Sequence, residues 1–316
     1  MKVLVTGSKG FLGKHLLSTL IDSTDYELVG TVRGEGKVVS FRESYLSVGD
    51  ISADTDWSRA LDNVDVVIHL AARAHVLAES YLDPISEFRR VNVNAAVSLA
   101  RQSMAYGVKR FIFISSIGVN GSITSSEPFT EDSVPQPHAY YAVSKYEAET
   151  ELLAITKQSP MELVIIRPPL VYAADAPGNF ARLLKLIDVG LPVPLGSVKN
   201  RRSMIALENL VDFIKVCISS EAAANELFLI SDGKNFSTPE IVHLLARGMG
   251  KKTYLLPIPD VLLQFAAMAF RRTPIYTQLC KSLVVDSAKA RNILGWAPPT
   301  DPIEALVMAG QNFKLR

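Results

Sequence analysis

Apolar side chains gather in short segments through the first half of the chain: Lys2 to Thr6, Glu27 to Val32, Val64 to Leu70, Lys109 to Ser115 and Leu163 to Arg167. Stretches such as VVIHLA and FIFIS show no polar alternation, as expected of strands covered on both faces. Between these segments apolar positions recur at helical spacing, over Leu12 to Ile21, Ile85 to Tyr106 and Ala139 to Ile155. Strands separated by connections of helix length imply right-handed crossovers, and so a doubly wound α/β fold with a parallel sheet between two helical layers.

After Arg167 the texture changes, because Pro168, Pro169, Pro177, Pro192 and Pro194 interrupt the alternation. The boundary is predicted near Tyr172. Residues 1–171 then form the larger unit and residues 172–316 a smaller mixed α/β lobe, although a segment such as 204–230 could return to the first sheet. Within the lobe, helices are predicted over Asn179 to Val189, over Asn209 to Ser219 and after Thr238 and Asp286, with a strand at Leu227 to Ser231. The apolar stretch Val261 to Phe270 is expected to be a packed helix; the alternative is an exposed or membrane-touching one. Pro257, Pro259 and Asp260 leave the wider stretch from Tyr254 too short to span a bilayer.

Composition narrows the function classes. With 316 residues, 48% hydrophobic and 21% charged, the chain has the make-up of a folded globular protein. Its 33 Lys and Arg against 32 Asp and Glu leave a net charge of +1, so no global field holds nucleic acid or draws the chain firmly to a membrane. Any anion must be held locally. Two cysteines, Cys217 and Cys280, make neither a disulfide framework nor a zinc site. The N-terminal MKVLVTG reads as a strand and lacks the apolar core of a signal peptide, so a cytoplasmic protein is expected.

A local anion site follows the first strand. Thr6-Gly7-Ser8-Lys9-Gly10-Phe11-Leu12-Gly13 has GxxGxxG spacing and runs into a helical pattern. The first glycine permits a tight turn, the second lets backbone approach a pyrophosphate, and the third lets helix and strand pack closely, with the helix N-terminus facing the anion. This is the dinucleotide loop of a Rossmann-type sheet. The acidic residue that would hold the ribose of NAD at the end of the second strand is missing; Arg33 stands there, and Lys9 adds a second positive charge. NADP(H) is therefore the preferred cofactor, with NAD(H) as the alternative.

Tyr141 and Lys145 stand at i and i+4 of a helical segment and project from one face. A phenol titrates near 10 in water, and a neighbouring ammonium favours its ionised form, so the tyrosine can exchange a proton while hydride moves. Ser115 and Ser116 close the strand Lys109 to Ser115, at the end of a parallel sheet where ligands sit.

With these pieces in hand, the chain resembles the extended short-chain dehydrogenases/reductases, specifically the NAD-dependent epimerase/dehydratase group that acts on nucleotide sugars. The resemblance runs through TGSKGFLG (6–13), GDI (49–51), HLAA (69–72), NVNAA (92–96), SSIGVNG (115–121), YAVSK (141–145), RPPLVY (167–172), RRSMIALENL (201–210) and LGWAP (294–298). It implies that the cofactor is held by Gly7, Lys9, Gly10, Phe11, Leu12 and Gly13, with Arg33 at the ribose. Asp50 and Ile51 would flank the adenine, and Leu70, Ala71, Ala72, Ser115 and Pro168 would line the cofactor. Asn92 would support the site. Ser116 would hydrogen-bond the substrate oxygen, Tyr141 would be the acid/base, and Lys145 would bind the nicotinamide ribose. Arg202, beside Arg201, would hold the nucleotide, Asn179 the sugar or diphosphate, and Arg73 and His75 could reach the sugar. The resemblance also implies a homodimer through a four-helix interface built from Ile85 to Tyr106 and Ala139 to Ile155.

Departures from the family pattern select the reaction. Dehydratases carry an Asp-Glu pair after the catalytic hydroxyl, and here those positions are Ile117 and Gly118, so dehydration is disfavoured. HLAARAHV (69–76) and NRRSMIALENL (200–210) resemble a bacterial UDP-N-acetylquinovosamine dehydrogenase branch. That likeness and Arg33 favour an NADPH-dependent reductase acting at C4 of a UDP-4-keto-6-deoxy-N-acetylhexosamine, in surface polysaccharide synthesis. A UDP-sugar 4-epimerase with tightly bound NAD is the alternative. A non-catalytic NADP-binding sensor is the third reading, against which all three catalytic residues stand.

Overall fold

The computed structural model describes residues 1–40, 42–74 and 83–315. The first half runs β1 (Lys2–Thr6), α1 (Phe11–Ser23), β2 (Glu27–Val32), β3 (Lys37–Ser40), β4 (Glu43–Ser47), α2 (Ser58–Leu61), β5 (Val66–His69), α3 (Pro84–Arg89), α4 (Ala95–Ala105), β6 (Arg110–Ile114), α5 (Tyr140–Thr156) and β7 (Glu162–Arg167). The second runs β8 (Leu170–Tyr172), α6 (Asn179–Val189), β9 (Arg202–Ala206), α7 (Leu207–Ser219), β10 (Leu227–Leu229), β11 (Asn235–Phe236), α8 (Thr238–Gly248), α9 (Asp260–Ala269), α10 (Thr273–Cys280), α11 (Ala288–Leu294) and α12 (Pro302–Lys314).

Eight strands form the main sheet in the order β10-β7-β6-β5-β1-β2-β4-β3, parallel throughout except for β3 at the edge. Alternate residues of each strand feed opposite layers. Val3 and Val5 pack with Leu16, Leu20 and Phe213 on one side, whereas Leu4 packs with Trp57, Phe111 and Leu152 on the other. Both layers are apolar and buried, and burying each such aliphatic or aromatic side chain contributes about 1.5–3 kcal/mol. The chain leaves β1 for β2 on one side and later returns to β5 on the other, so a crevice opens at the carboxyl ends of β1 and β5. This is the doubly wound architecture that the alternation predicts.

The smaller sheet, β11-β9-β8, packs against α6, α8 and α12 around Tyr172, Phe180, Met204 and Leu306. Helix α8 starts where it does because Ser237 and Glu240 cap it reciprocally, with Pro239 in its first turn. Between β9 and β11 the chain revisits the larger unit: α7 contributes Phe213 to the layer beside α1, and β10 extends the main sheet beyond β7.

Two expectations are corrected. The segment Ile85 to Tyr106 is not one regular helix, because a π-helical turn at Arg90–Asn94 separates α3 from α4. Its extra residue turns Asn92 inward, where the side chain is fully used (below). Nor is the stretch Val261 to Phe270 packed: helix α9 has no buried residue, since only Leu263 reaches a small cluster formed by Val193, Leu195 and Val198.

Candidate active site

The glycine loop closes the crevice from the β1 side. Gly7 has φ +68°, and a Cβ there would lie 2.8 Å from the Ala71 amide; a Cβ on Gly13 would lie 2.3 Å from the Gly7 carbonyl. The loop therefore passes closely under Leu70 and Ala71 while α1 packs down on it, with Gly10 as its N-cap and Phe11 and Leu12 in its first turn. The first-turn amides of this 13-residue helix face the crevice and suit a pyrophosphate.

The predicted ribose and adenine residues meet at one rim. Lys9 Nζ sits 3.8 Å from the centre of the Tyr45 ring, next to β2. Arg33 is 82% exposed, with Nε 4.0 Å from Asp50. Asp50 also accepts a 2.7 Å bond from Arg90, whose guanidinium donates to the Ile51 carbonyl and to Glu87. Arg33 is therefore not a lone cation; a carboxylate shares its neighbourhood.

Across the crevice, β5 ends at His69, which is fully buried and stacked on Phe113. Thr6 Oγ1 accepts from the Ala71 amide at 3.2 Å and lies 2.8 Å from His69 Nδ1, an arrangement satisfied when the hydroxyl donates to Nδ1 and the ring proton is on Nε2. Burial, and then the Lys145 charge, pushes His69 down to about 3, so the ring is neutral. Asn92 ties the next turn down. Its Oδ1 accepts from the Arg73 amide at 2.8 Å, and its Nδ2 donates to the Arg73 carbonyl and to Ser144 Oγ of α5. Asn92 thus positions the loop rather than facing a ligand. The Arg73 side chain pairs with Glu87. His75 lies outside the described residues.

The catalytic candidates converge from β6 and α5. Ser116 caps the turn after β6, its Oγ accepting from Gly118 N at 3.1 Å, which leaves the hydroxyl proton to donate. A Cβ on Gly118 would touch both Ser116 Oγ and the Ala142 side chain, so this turn packs on the residue following Tyr141. Lys145 is buried; its ammonium donates to the Ile114 carbonyl at 2.7 Å and lies 6.0 Å from the centre of the Tyr141 ring. Burial pushes Lys145 down to about 7, with Glu149 opposing, and pushes the Tyr141 phenol up to about 12. Protein groups alone therefore hold the phenol protonated, and proton release calls for a further positive charge beside it.

Glu149 was not among the predicted residues. It forms a buried pair with Arg167 at 2.5 Å, and Arg167 also donates to Asn120 Oδ1 at 3.0 Å. These three groups join α5, β7 and the turn that carries Ser116. Tyr141, Lys145 and Glu149 stand at i, i+4 and i+8, and that periodicity was the available signal. Pro168, after β7, accepts at its carbonyl from Ile117 N, at 3.0 Å. Ile117 is buried among Leu229, Leu283 and Val285, and Gly118 carries no side chain, so neither position offers an acid or base.

The second-lobe residues meet elsewhere. Asn179 and Arg202 line a cleft with Leu170, Phe180, Met204 and Gln278, and Asn179 bonds Gln278. Arg202 is buried, and that burial lowers it to about 10. Among the described residues, the lining of this cleft does not include Ser116, Tyr141 or Lys145.

The residues fit a nicotinamide dinucleotide. Two buried polar atoms at the crevice, His69 Nε2 and Ser115 Oγ, have no hydrogen-bond partner among the described residues. Buried polar groups are rarely left so. They stand at the carboxyl ends of β5 and β6, beside the glycine cradle and the Lys145 ammonium.

Residues 3–231 match the NAD dependent epimerase/dehydratase family. The chain is 42% identical over 314 residues, 98% of its length and 95% of the relative's, to a UDP-glucose 4-epimerase of Vibrio cholerae. It is 29% identical over 259 residues, 81% and 75% of the two chains, to an N-acetyl-alpha-D-glucosaminyl-diphospho-ditrans,octacis-undecaprenol 4-epimerase of Escherichia coli O157:H7. In fold it is similar to the crystal structure of UDP-glucuronic acid 4-epimerase from Bacillus cereus in complex with NAD, with a TM-score of 0.79 at 22% identity, covering 100% and 99% of the chains. Matched along most of its length and built around this crevice, the chain belongs to the NAD-dependent epimerase/dehydratase family of nucleotide-sugar enzymes.

Proposed function

We propose that the protein is a UDP-sugar 4-epimerase that works with a retained NAD. The observation that carries this reading is the 42% identity to a UDP-glucose 4-epimerase across almost the whole of both chains. The site chemistry supports it: one tyrosine and one lysine serve proton and hydride transfer at a single carbon, and Ile117 and Gly118 supply no groups for eliminating water. The two relatives named above are both 4-epimerases, which does not favour a one-way reductase.

In this reading the glycine loop and α1 hold the diphosphate of the cofactor, and Lys145 and Ser115 hold its nicotinamide end. When bound, the nicotinamide supplies the hydride acceptor and donor, and its oxidised ring supplies positive charge. Tyr141 takes the proton of the C4 hydroxyl as the hydride leaves C4. Ser116 donates to the C4 oxygen and keeps it in place. After the sugar turns its other face, Tyr141 returns the proton to that oxygen. Arg202 and Asn179 bind the diphosphate end of the substrate. The protein works as a homodimer through α3, α4 and α5, where Tyr146 and Leu153 are exposed.

One observation favours the alternative, an NADPH-dependent C4 reductase: Arg33 and Lys9 stand where a 2′-phosphate would lie. Asp50, 4.0 Å from Arg33, weighs against it, because it places a negative charge at the same rim. Incubating the protein with UDP-glucose or UDP-N-acetylglucosamine, with no nucleotide added, tests the choice. The C4 epimer appears in the proton NMR spectrum if the proposal holds. No epimer from either sugar, together with NADPH consumption on a UDP-4-keto sugar, overturns it in favour of the reductase. The undecaprenyl-diphosphate sugar is the further substrate to try, since a relative is named for it.

A further inference from the structure

Helix α9 reads DVLLQFAAMA, with Asp260 and Gln264 its two polar residues, yet none of its residues is buried. Val261 is 74% exposed, Phe265 68% and Phe270, just beyond the helix, 77%. A helix with so many apolar residues usually buries them in a protein core or in contact with lipid. Tyr254 and Leu256, just before α9 in sequence, are exposed as well, and their segment pairs with Val193 and Gly196. Leu191, two residues before Val193, is exposed too. Soluble surfaces rarely carry so many large exposed apolar side chains on one helix without a partner.

Charge selects the partner. From Tyr254 to Ile275 the ionisable acids and bases other than tyrosine are Asp260, Arg271 and Arg272. Asp260 is engaged by the Tyr276 hydroxyl, at 2.8 Å, and by Lys281, at 3.3 Å. Arg271 and Arg272 are exposed at the opposite end of α9, on a turn where Arg271 adopts φ +53°. The patch is therefore apolar with a positive rim. A second copy meeting it antiparallel about a two-fold axis would set Arg271 and Arg272 against Asp260, an acid already engaged by Tyr276 and Lys281. A phosphate-bearing lipid surface matches both features. At ten residues α9 is about 15 Å long, half of what crosses a bilayer, and no helix among the described residues is long and apolar enough to do so. It can only lie in the interface.

We propose that α9 and the Tyr254–Leu256 segment dock the protein on a membrane surface containing anionic phospholipid, with Phe265, Met268 and Phe270 entering the acyl boundary and Arg271 and Arg272 meeting headgroup phosphates. This surface is distinct from the crevice, and the proposal does not depend on which reaction the crevice performs.

Co-sedimentation of the full chain with vesicles of phosphatidylglycerol and phosphatidylethanolamine tests it. The wild type pellets with them, about tenfold less with phosphatidylcholine vesicles, and less again at high salt. The double variant Phe265→Glu/Phe270→Glu stays in the supernatant while keeping the wild-type circular dichroism spectrum and thermal midpoint. Should that variant not fold, Arg271→Glu/Arg272→Glu carries the test, losing about tenfold on the anionic vesicles. Wild-type protein that never pellets, or variants that pellet equally well, overturn the proposal. So does a wild-type assembly that Phe265→Glu/Phe270→Glu dissociates while neither protein binds vesicles, which assigns the face to a second copy.

Discussion

Tyr141 and His69 are the two side chains whose environments say most about the chemistry. Burial holds the Tyr141 phenol up at about 12, so its proton moves readily only when positive charge gathers beside it. Tyr141→Phe is expected to lower kcat about 10²- to 10⁴-fold while leaving thermal stability and cofactor content unchanged; steady-state kinetics beside a cofactor assay checks this. His69 makes a different prediction. Its folded value, about 3, lies below the unfolded 6.5. The unfolded chain therefore binds a proton that the native chain refuses between those limits. The stability that the neutral ring contributes is complete above pH 6.5 and lost as pH falls toward 3. By pH 5 that loss is about 2 kcal/mol. Urea titrations at pH 7 and pH 5 should show a shallower loss in His69→Gln than in the wild type. The tyrosine and lysine were legible in the sequence because their relation is local, four residues along one helix. His69 was not, since its motif says nothing about how deeply the ring is buried or what its two nitrogens meet.

At the scale of elements, the site is held by joints between segments distant in sequence. Arg167 on β7, Glu149 on α5 and Asn120 in the turn after β6 form one such joint, with both charged side chains almost wholly buried. Removing one member leaves the other charge unpaired. Arg167→Ala is expected to cost about 3–5 kcal/mol, read as a lower urea midpoint, and to loosen the Ser116 turn relative to Tyr141. The π-helical turn is a second joint, because it delivers Asn92 to both the Arg73 backbone and α5. Hydrophobic spacing could not reveal it, since one inserted residue within a run of helical spacing disturbs the pattern less than ordinary variation does. Helix α9 shows the converse. Its apolar letters were read as core because apolarity predicts cover without saying what provides it; the fold leaves the helix uncovered.

At the scale of the whole molecule, the alternation of strands and helices was enough to read the doubly wound sheet, since crossover handedness and short connections leave few topologies. The glycine loop then marked the crevice at β1 and β5. What stayed hidden was assembled across long separations: the second-lobe cleft joins Leu170, Asn179, Arg202 and Gln278, which no local spacing relates. The choice of cofactor was hidden for the same reason. Arg33 read alone suggests a 2′-phosphate, whereas Arg33 beside Asp50 and Arg90 makes a mixed-charge rim.

Retention of the cofactor is where the epimerase and reductase accounts differ most sharply, because a hydride that is taken and returned needs a dinucleotide that stays. The most direct test is to purify the protein without added nucleotide, denature it, and identify and count the nicotinamide dinucleotide released. The account predicts NAD, close to one per chain. Protein that emerges empty and then binds NADPH much more tightly than NADH would contradict it.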